Sequence, residues 1–114
     1  MPGESPTDRA DAAACCPHYH EAVEFIGRRW TGAILEVLLR HDARLRFKEL
    51  SHAVPQLSDR LLSERLKELE QRGLVARHVE PGPPIQVFYE LTAMGRSLEP
   101  TVVALKAWAR DWLA

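Results

Sequence analysis

The sequence predicts a mainly α domain carrying one small β-hairpin, and three observations support this. Helix-spaced apolar positions recur along most of the chain. Two short alternating stretches, 74–80 and 85–91, flank the turn residues Pro81-Gly82-Pro83-Pro84. A short helix, a tight turn and a longer helix stand directly before that hairpin. A length of 114 residues fits one such domain. The hydrophobic fraction of 46% builds a core and leaves apolar surface over, which pairing with a second copy would cover.

Taken in order, residues 1–14 (MPGESPTDRADAAA) have no apolar periodicity and are expected to form a disordered tail, with the domain running over 15–114. Helix is expected to begin at Cys16-Pro17, since proline suits a first helical position. Tyr19, Val23 and Ile26 then follow at helical spacing up to Gly27. Thr31 is the expected cap of a second helix to about Arg40. Its Ile34, Leu35, Val37, Leu38 and Leu39 are apolar almost all round, so it should be the buried centre.

Leu45-Arg46 reads as a short extended piece, followed by a brief helix over 47–53. Val54-Pro55-Gln56-Leu57 is a turn, because Pro55 disfavours helix at the residue before it. Ser58 caps a long amphipathic helix to about Arg72, which Gly73 ends. Beyond the hairpin, Thr92 caps a last helix to the C-terminus, with a bend expected at Pro100. Helix, helix, helix–turn–helix, hairpin, helix is the layout of a winged helix-turn-helix.

The formal net charge is −1, but it is unevenly spread. Residues 1–27 carry one Arg against five acids, residues 28–77 eleven Lys/Arg against seven acids, and residues 78–114 three against four. The blocks are therefore −4, +4 and −1. A basic middle between acidic or neutral ends suits a DNA-facing module with a dimerising periphery.

The helix after Ser58 has two distinct sides. With Leu62 at zero and about 100° per residue, Leu66 and Leu69 fall beside it, while Arg60, Glu64, Lys67 and Gln71 fall opposite and Ser63 lies between. Arg65 points sideways, to touch DNA backbone or to cover core. Arginine bonds guanine bidentately, and serine and lysine reach bases or phosphates, so this face fits a major groove. Ser58, Arg60, Ser63, Glu64 and Lys67, with Arg46, Lys48 and Arg77, make the candidate DNA-binding set. Seen alone, such a helix is an ordinary solvated surface helix. The turn before it and the hairpin after it change that reading.

In the last helix Leu98, Val102, Leu105, Ala109 and Trp112 recur at alternating four and three, and Trp108 widens the stripe. A wide stripe also occurs on helices packed only against their own core. The two tryptophans favour a homodimer interface, with Tyr19, Val23 and Ile26 of the first helix as second contributor.

Cys15 and Cys16 are adjacent and make no disulfide framework; in a reducing cytosol they are expected to be thiols. Cys16 precedes a helix whose N-terminal dipole favours a thiolate, so it is the candidate reactive thiol, with Cys15 as candidate resolving partner. The alternative is a thiol without signalling role. Cys15, Cys16, His18 and His20 crowd into six residues, unlike the separated pairs of zinc sites, and no metal or other cofactor is expected. There is no phosphate loop, nucleophile motif or helical metal-ligand pair, so an enzyme is not expected. No apolar run approaches the roughly 18 residues of a membrane span, and the N-terminus lacks the pattern of a signal peptide. A cytoplasmic protein is expected.

Several ordered motifs carry a family resemblance. Cys16-Pro17 and Gly27-Arg28-Arg29-Trp30-Thr31 resemble the C-P and G-[KR]-W-T openings of HxlR-type regulators. Arg46-Phe47-Lys48-Glu49-Leu50 is similar to their R-F-x-E-L segment. The run Leu57-Ser58 through Leu61, then Leu66-Lys67-Glu68-Leu69-Glu70 and Gly73-Leu74-Val75, is similar to their recognition helix. Val87-Phe88-Tyr89-Glu90-Leu91-Thr92-Ala93-Met94-Gly95 resembles V-x-Y-x-L-T-x-x-G, and Trp108 sits where the family has a C-terminal Trp.

The resemblance covers about residues 16–112. It implies a homodimer on an inverted-repeat, double-stranded DNA operator, repressing or activating transcription. It also implies response to an electrophile, oxidant or metabolite through the cysteine of the C-P motif, here Cys16. Family wings often carry an Arg just before V-x-Y, where this chain has Gln86 and an uncharged tip. Arg77 and His78 are then the candidate wing contacts. Two other readings stand beside a DNA-binding repressor: a winged-helix protein-interaction module, and a metal- or metabolite-sensing repressor of a related family.

Overall fold

The computed structural model describes residues 16–41 and 43–114. The expectations for the 1–14 tail and for Cys15 lie outside the described residues. Among the described residues six helices and three strands follow one another: α1 (Pro17–Ile26), α2 (Thr31–Arg40), β1 (Leu45–Arg46), α3 (Phe47–Ala53), α4 (Asp59–Gln71), β2 (Val75–Glu80), β3 (Gln86–Leu91), α5 (Ala93–Arg96) and α6 (Glu99–Leu113).

The core forms where α2 meets α4. Ile34, Leu35, Val37 and Leu38 of α2 are buried, as are Leu62, Leu66 and Leu69 of α4, and Leu50, Val54 and Leu57 close the space between them. Burying a leucine of this kind contributes about 1.5–3 kcal/mol, and these side chains decide how the two helices roll against each other. The turn 54–57 carries the chain between α3 and α4, with the Leu57 amide donating to the Val54 carbonyl. Ser58 caps α4 as expected, its Oγ accepting from the Leu61 amide at 3.2 Å. Gly73, with φ +85°, ends it in a conformation that favours glycine.

β1, β3 and β2 form one antiparallel sheet in that order, with Leu45 opposite Tyr89, Val75 opposite Leu91 and Glu80 opposite Gln86. Alternation along the strands puts Leu45, Tyr89, Arg77, Val75 and Leu91 on one face, and Arg46, Phe88 and His78 on the other. Val75 and Leu91 are buried, so the first face is the core side.

Two local expectations are corrected. Thr31 does not cap α2; it is a buried residue of the first turn. The cap position is Trp30, at φ +76°, whose carbonyl accepts from the Ile34 amide. The Thr31 amide donates to the Arg28 carbonyl, so a tight turn brings the chain into α2 where a side-chain cap was expected. The last helix is two helices. Thr92 caps only the single turn α5, its Oγ1 accepting from the Gly95 amide, and α6 restarts after Leu98. Pro100 is the reason: with no N–H and a ring that crowds the preceding turn, it is tolerated in a first turn and not within a continuous helix.

Gly95 explains the end of the L-T-x-x-G motif. A Cβ there would collide with the Leu74 backbone carbonyl and press on Leu91. Gly95→Ala is expected to lower stability by about 1–3 kcal/mol, read as a reduced urea midpoint at unchanged slope.

Candidate nucleic-acid interface

α4 is held by its leucines, so the side chains opposite them are turned out of the protomer. Arg60, Ser63, Glu64 and Lys67 are all exposed, and the Arg60 side chain is 90% so. Arg60 Nε lies 3.6 Å from Glu64 Oε1, one helical turn on. Asp59 is drawn back toward α3, where its carboxylate accepts from Ser51 Oγ at 2.7 Å. α4 thus presents a solvated strip bearing arginine, serine, glutamate and lysine.

Arg65, left open between DNA backbone and core, is part of the protein interior. Its side chain is 10% exposed; Nε donates to the Arg29 carbonyl at 3.1 Å and Nη1 to Glu68 at 3.0 Å. Glu68 also receives Arg28 Nη1 at 2.8 Å. One carboxylate therefore joins two arginines and pins the Arg28–Trp30 turn to α4. No local pattern reveals this contact, since Arg28 and Glu68 are 40 residues apart.

The other expected contacts lie around this strip. Lys48 is exposed on α3, and Arg46 sits at the junction of β1 and α3, where its amide donates to Glu49 at 2.8 Å. Arg77 is exposed on β2 and shares the sheet face of Val75, so Arg46 and Arg77 lie on opposite faces. His78 is engaged within the sheet, its Nε2 2.6 Å from a Glu90 carboxylate oxygen, and Arg44 spans to Glu80 at 3.0 Å. The wing tip carries no cation, and Ile85 stands exposed there.

A second surface is apolar. Leu105, Trp108 and Trp112 of α6 and Tyr19 and Val23 of α1 are exposed, Trp112 by 75%. Ile26 and Leu98, expected in the same stripe, pack in part against the protomer's own core, and Val102 is half-buried. α1 buries none of its residues fully and meets α4 through charge: Arg72 bonds Glu21 at 2.8 Å and lies 4.6 Å over the Phe25 ring. Cys16 is exposed at the N-cap of α1. Beneath α1 runs a cleft of about 260 Å³ whose lining includes Phe25, Ile26, Leu74, Met94 and Leu98.

Among the described residues no three His, Cys, Asp or Glu side chains gather as metal ligands, and no helix is long and apolar enough to cross a membrane.

Helix–turn–helix, outward polar strip and adjoining strand pair define a winged helix-turn-helix DNA-binding regulator. The chain belongs to the HxlR-like helix-turn-helix family, whose profile matches residues 25–114. Among its relatives, YodB of Bacillus subtilis, a HTH-type transcriptional regulator, is 43% identical over 94 residues, covering 82% of both chains. YvaP of the same organism is 42% identical over 98 residues, 86% of this chain and 89% of the relative. The structure of reduced YodB superposes with a TM-score of 0.76 at 41% identity, over 85% of this chain and 93% of that one. The redox regulator HypR in its oxidized form gives 0.75 at 34% identity, over 82% and 95%. Family membership makes the chain a transcriptional regulator and not an enzyme.

The two classes of arginine separate experimentally. Arg65→Ala, which strands the Arg29 carbonyl and half of Glu68's bonding, is expected to lose about 1–3 kcal/mol of stability. Arg60→Ala is expected to stay within about 0.5 kcal/mol of the parent. Parallel denaturant titrations of the two variants measure the difference.

Proposed function

We propose that the protein is a sequence-specific repressor that binds an inverted-repeat operator as a homodimer and responds to oxidants or electrophiles through Cys16. One observation carries the DNA reading: the outward strip of α4, with Arg60, Ser63, Glu64 and Lys67 clear of the core. In the major groove Arg60 meets base edges, Lys67 and Ser63 meet bases or phosphates, and Ser58 presents the N-terminal turn of α4 to the backbone. Lys48, Arg46 and Arg77 add phosphate contacts from α3 and the sheet.

The homodimer reading is supported by the exposed Leu105, Trp108 and Trp112 of α6 and the exposed Tyr19 and Val23 of α1. Aromatic side chains at this density are typical of interface cores. Two-fold pairing sets two copies of α4 about one helical turn apart on the duplex, doubling the bases read.

The response reading draws on relatives. YodB has been solved reduced, diamide-treated and quinone-bound, and HypR oxidized and reduced. In this chain Cys16 begins the helix that Arg72 and Arg28 tie to α4. A displacement of α1 on modification of Cys16 would therefore be felt at the recognition helix, while the apolar cleft beneath α1 offers room for a small effector.

Anisotropy titration of the protein against its own upstream duplex tests this reading at two salt concentrations. Affinity is expected to fall steeply with salt, through counterion release. Arg60→Ala is expected to cost about 1–3 kcal/mol of specific affinity with the dimer intact. Unchanged affinity in that variant would mean that another face reads the DNA. Diamide or a quinone is expected to weaken parental binding and leave Cys16→Ser unaffected; equal responses in the two proteins would remove Cys16 from the mechanism.

A further inference from the structure

An acidic side chain in the middle of a DNA-facing strip needs a reason, because a carboxylate near phosphates weakens binding to every sequence alike. α4 carries four acids at 59, 64, 68 and 70. Asp59 is turned to Ser51, and Glu68 is held by Arg28 and Arg65. Glu64 shares the outward strip with Arg60 and Lys67, 54% exposed and 3.6 Å from the Arg60 guanidinium. In water such a pair adds little to stability. Its significance is directional.

Glu64 approaches the guanidinium from its Nε side. With Glu64 on the Nε side and the Arg60 side chain 90% exposed, the two Nη groups remain available to an outside partner. Two parallel donors match the O6 and N7 acceptors that guanine shows in the major groove. Glu64 keeps a second carboxylate oxygen beyond the one facing Arg60, and a carboxylate in that groove accepts from the cytosine N4 amino group.

The geometry points to a joint specificity role for Arg60 and Glu64: as a pair they read a guanine and the cytosine of the neighbouring base pair in each half-site. The inference rests on α4 entering the groove, as proposed above. Arg60 supplies recognition of guanine. Glu64 orients Arg60, selects cytosine, and penalises sites that offer only acceptors at its position.

Selection of bound duplexes from a pool with a randomised centre, using the full chain and its Glu64→Gln and Arg60→Lys variants, tests the pair. The parent is expected to enrich a guanine beside a cytosine in each half-site. Glu64→Gln is expected to exchange the cytosine for adenine, which glutamine bonds bidentately, with roughly tenfold loss of discrimination against the parental site. Its affinity for random-sequence duplex is expected to rise. Arg60→Lys is expected to relax the guanine position, a lysine being unable to present a fork. Both side chains are exposed, so circular dichroism and melting of the variants should match the parent.

A Glu64→Gln motif identical to the parent's, or a parental motif without the guanine–cytosine neighbours, overturns the inference and leaves DNA binding by α4 standing. Failure of the parent to retain any duplex at low salt overturns the DNA-binding reading itself, and the pair's role with it.

Discussion

The packing of Leu62, Leu66 and Leu69 against α2 is the contact on which the rest of the molecule depends. These three side chains are essentially inaccessible to solvent, and they sit on one stripe of a 13-residue helix. Rolling α4 by even one residue would expose a leucine and bury Arg60 or Lys67 unpaired, a change costing several kcal/mol. The apolar side of the helix thus dictates its polar side. What faces a duplex is whatever the core does not take, and α2, apolar nearly all round, is the surface that takes it.

The core leucines fix the roll of α4, and Arg65 and Glu68 fix its place relative to the turn between α1 and α2. A buried guanidinium is tolerated only where its donors are engaged. Here the Arg29 carbonyl and Glu68 engage it, and Arg28 completes the cluster. The turn between α1 and α2, with Trp30 in a left-handed conformation uncommon for a bulky residue, is thereby attached to the recognition helix. α1 itself buries no residue fully; it is joined by partly buried Phe25 and Ile26, an exposed ion pair and one cation–π contact. Exposed ion pairs of that kind are individually weak.

Much of this was legible in the sequence, and for identifiable reasons. The stripe of α4, the Ser58 cap, the Gly73 stop and the Pro55 turn are local patterns with periods of a few residues, and the structure holds all of them. The strands begin one residue later than the alternation suggests, at Val75 and Gln86. Thr31 illustrates the other case: a threonine before an apolar run has the form of a cap, but burial won and the turn at Trp30 supplied the start. Pro100 marked a discontinuity correctly, while its consequence is two helices in place of one bent helix. The Arg28–Glu68–Arg65 cluster had no signal in the sequence, because both ends look like ordinary surface charge until the fold brings them together.

The same cluster alters the meaning of the charge distribution. Residues 28–77 hold a surplus of four positive charges, which taken alone suggests a broadly attractive surface. Arg28, Arg40, Arg44, Arg46, Arg60, Arg65 and Arg72 each have an acidic partner within 4 Å. Among the described residues of this stretch, the positive charge without an acidic partner is narrower, lying at Arg29, Lys48, Lys67 and Arg77, with Arg60 beside Glu64. If α4 enters the groove as proposed, few phosphates are neutralised by unpaired charge, and discrimination between sites falls to directed hydrogen bonds at base edges.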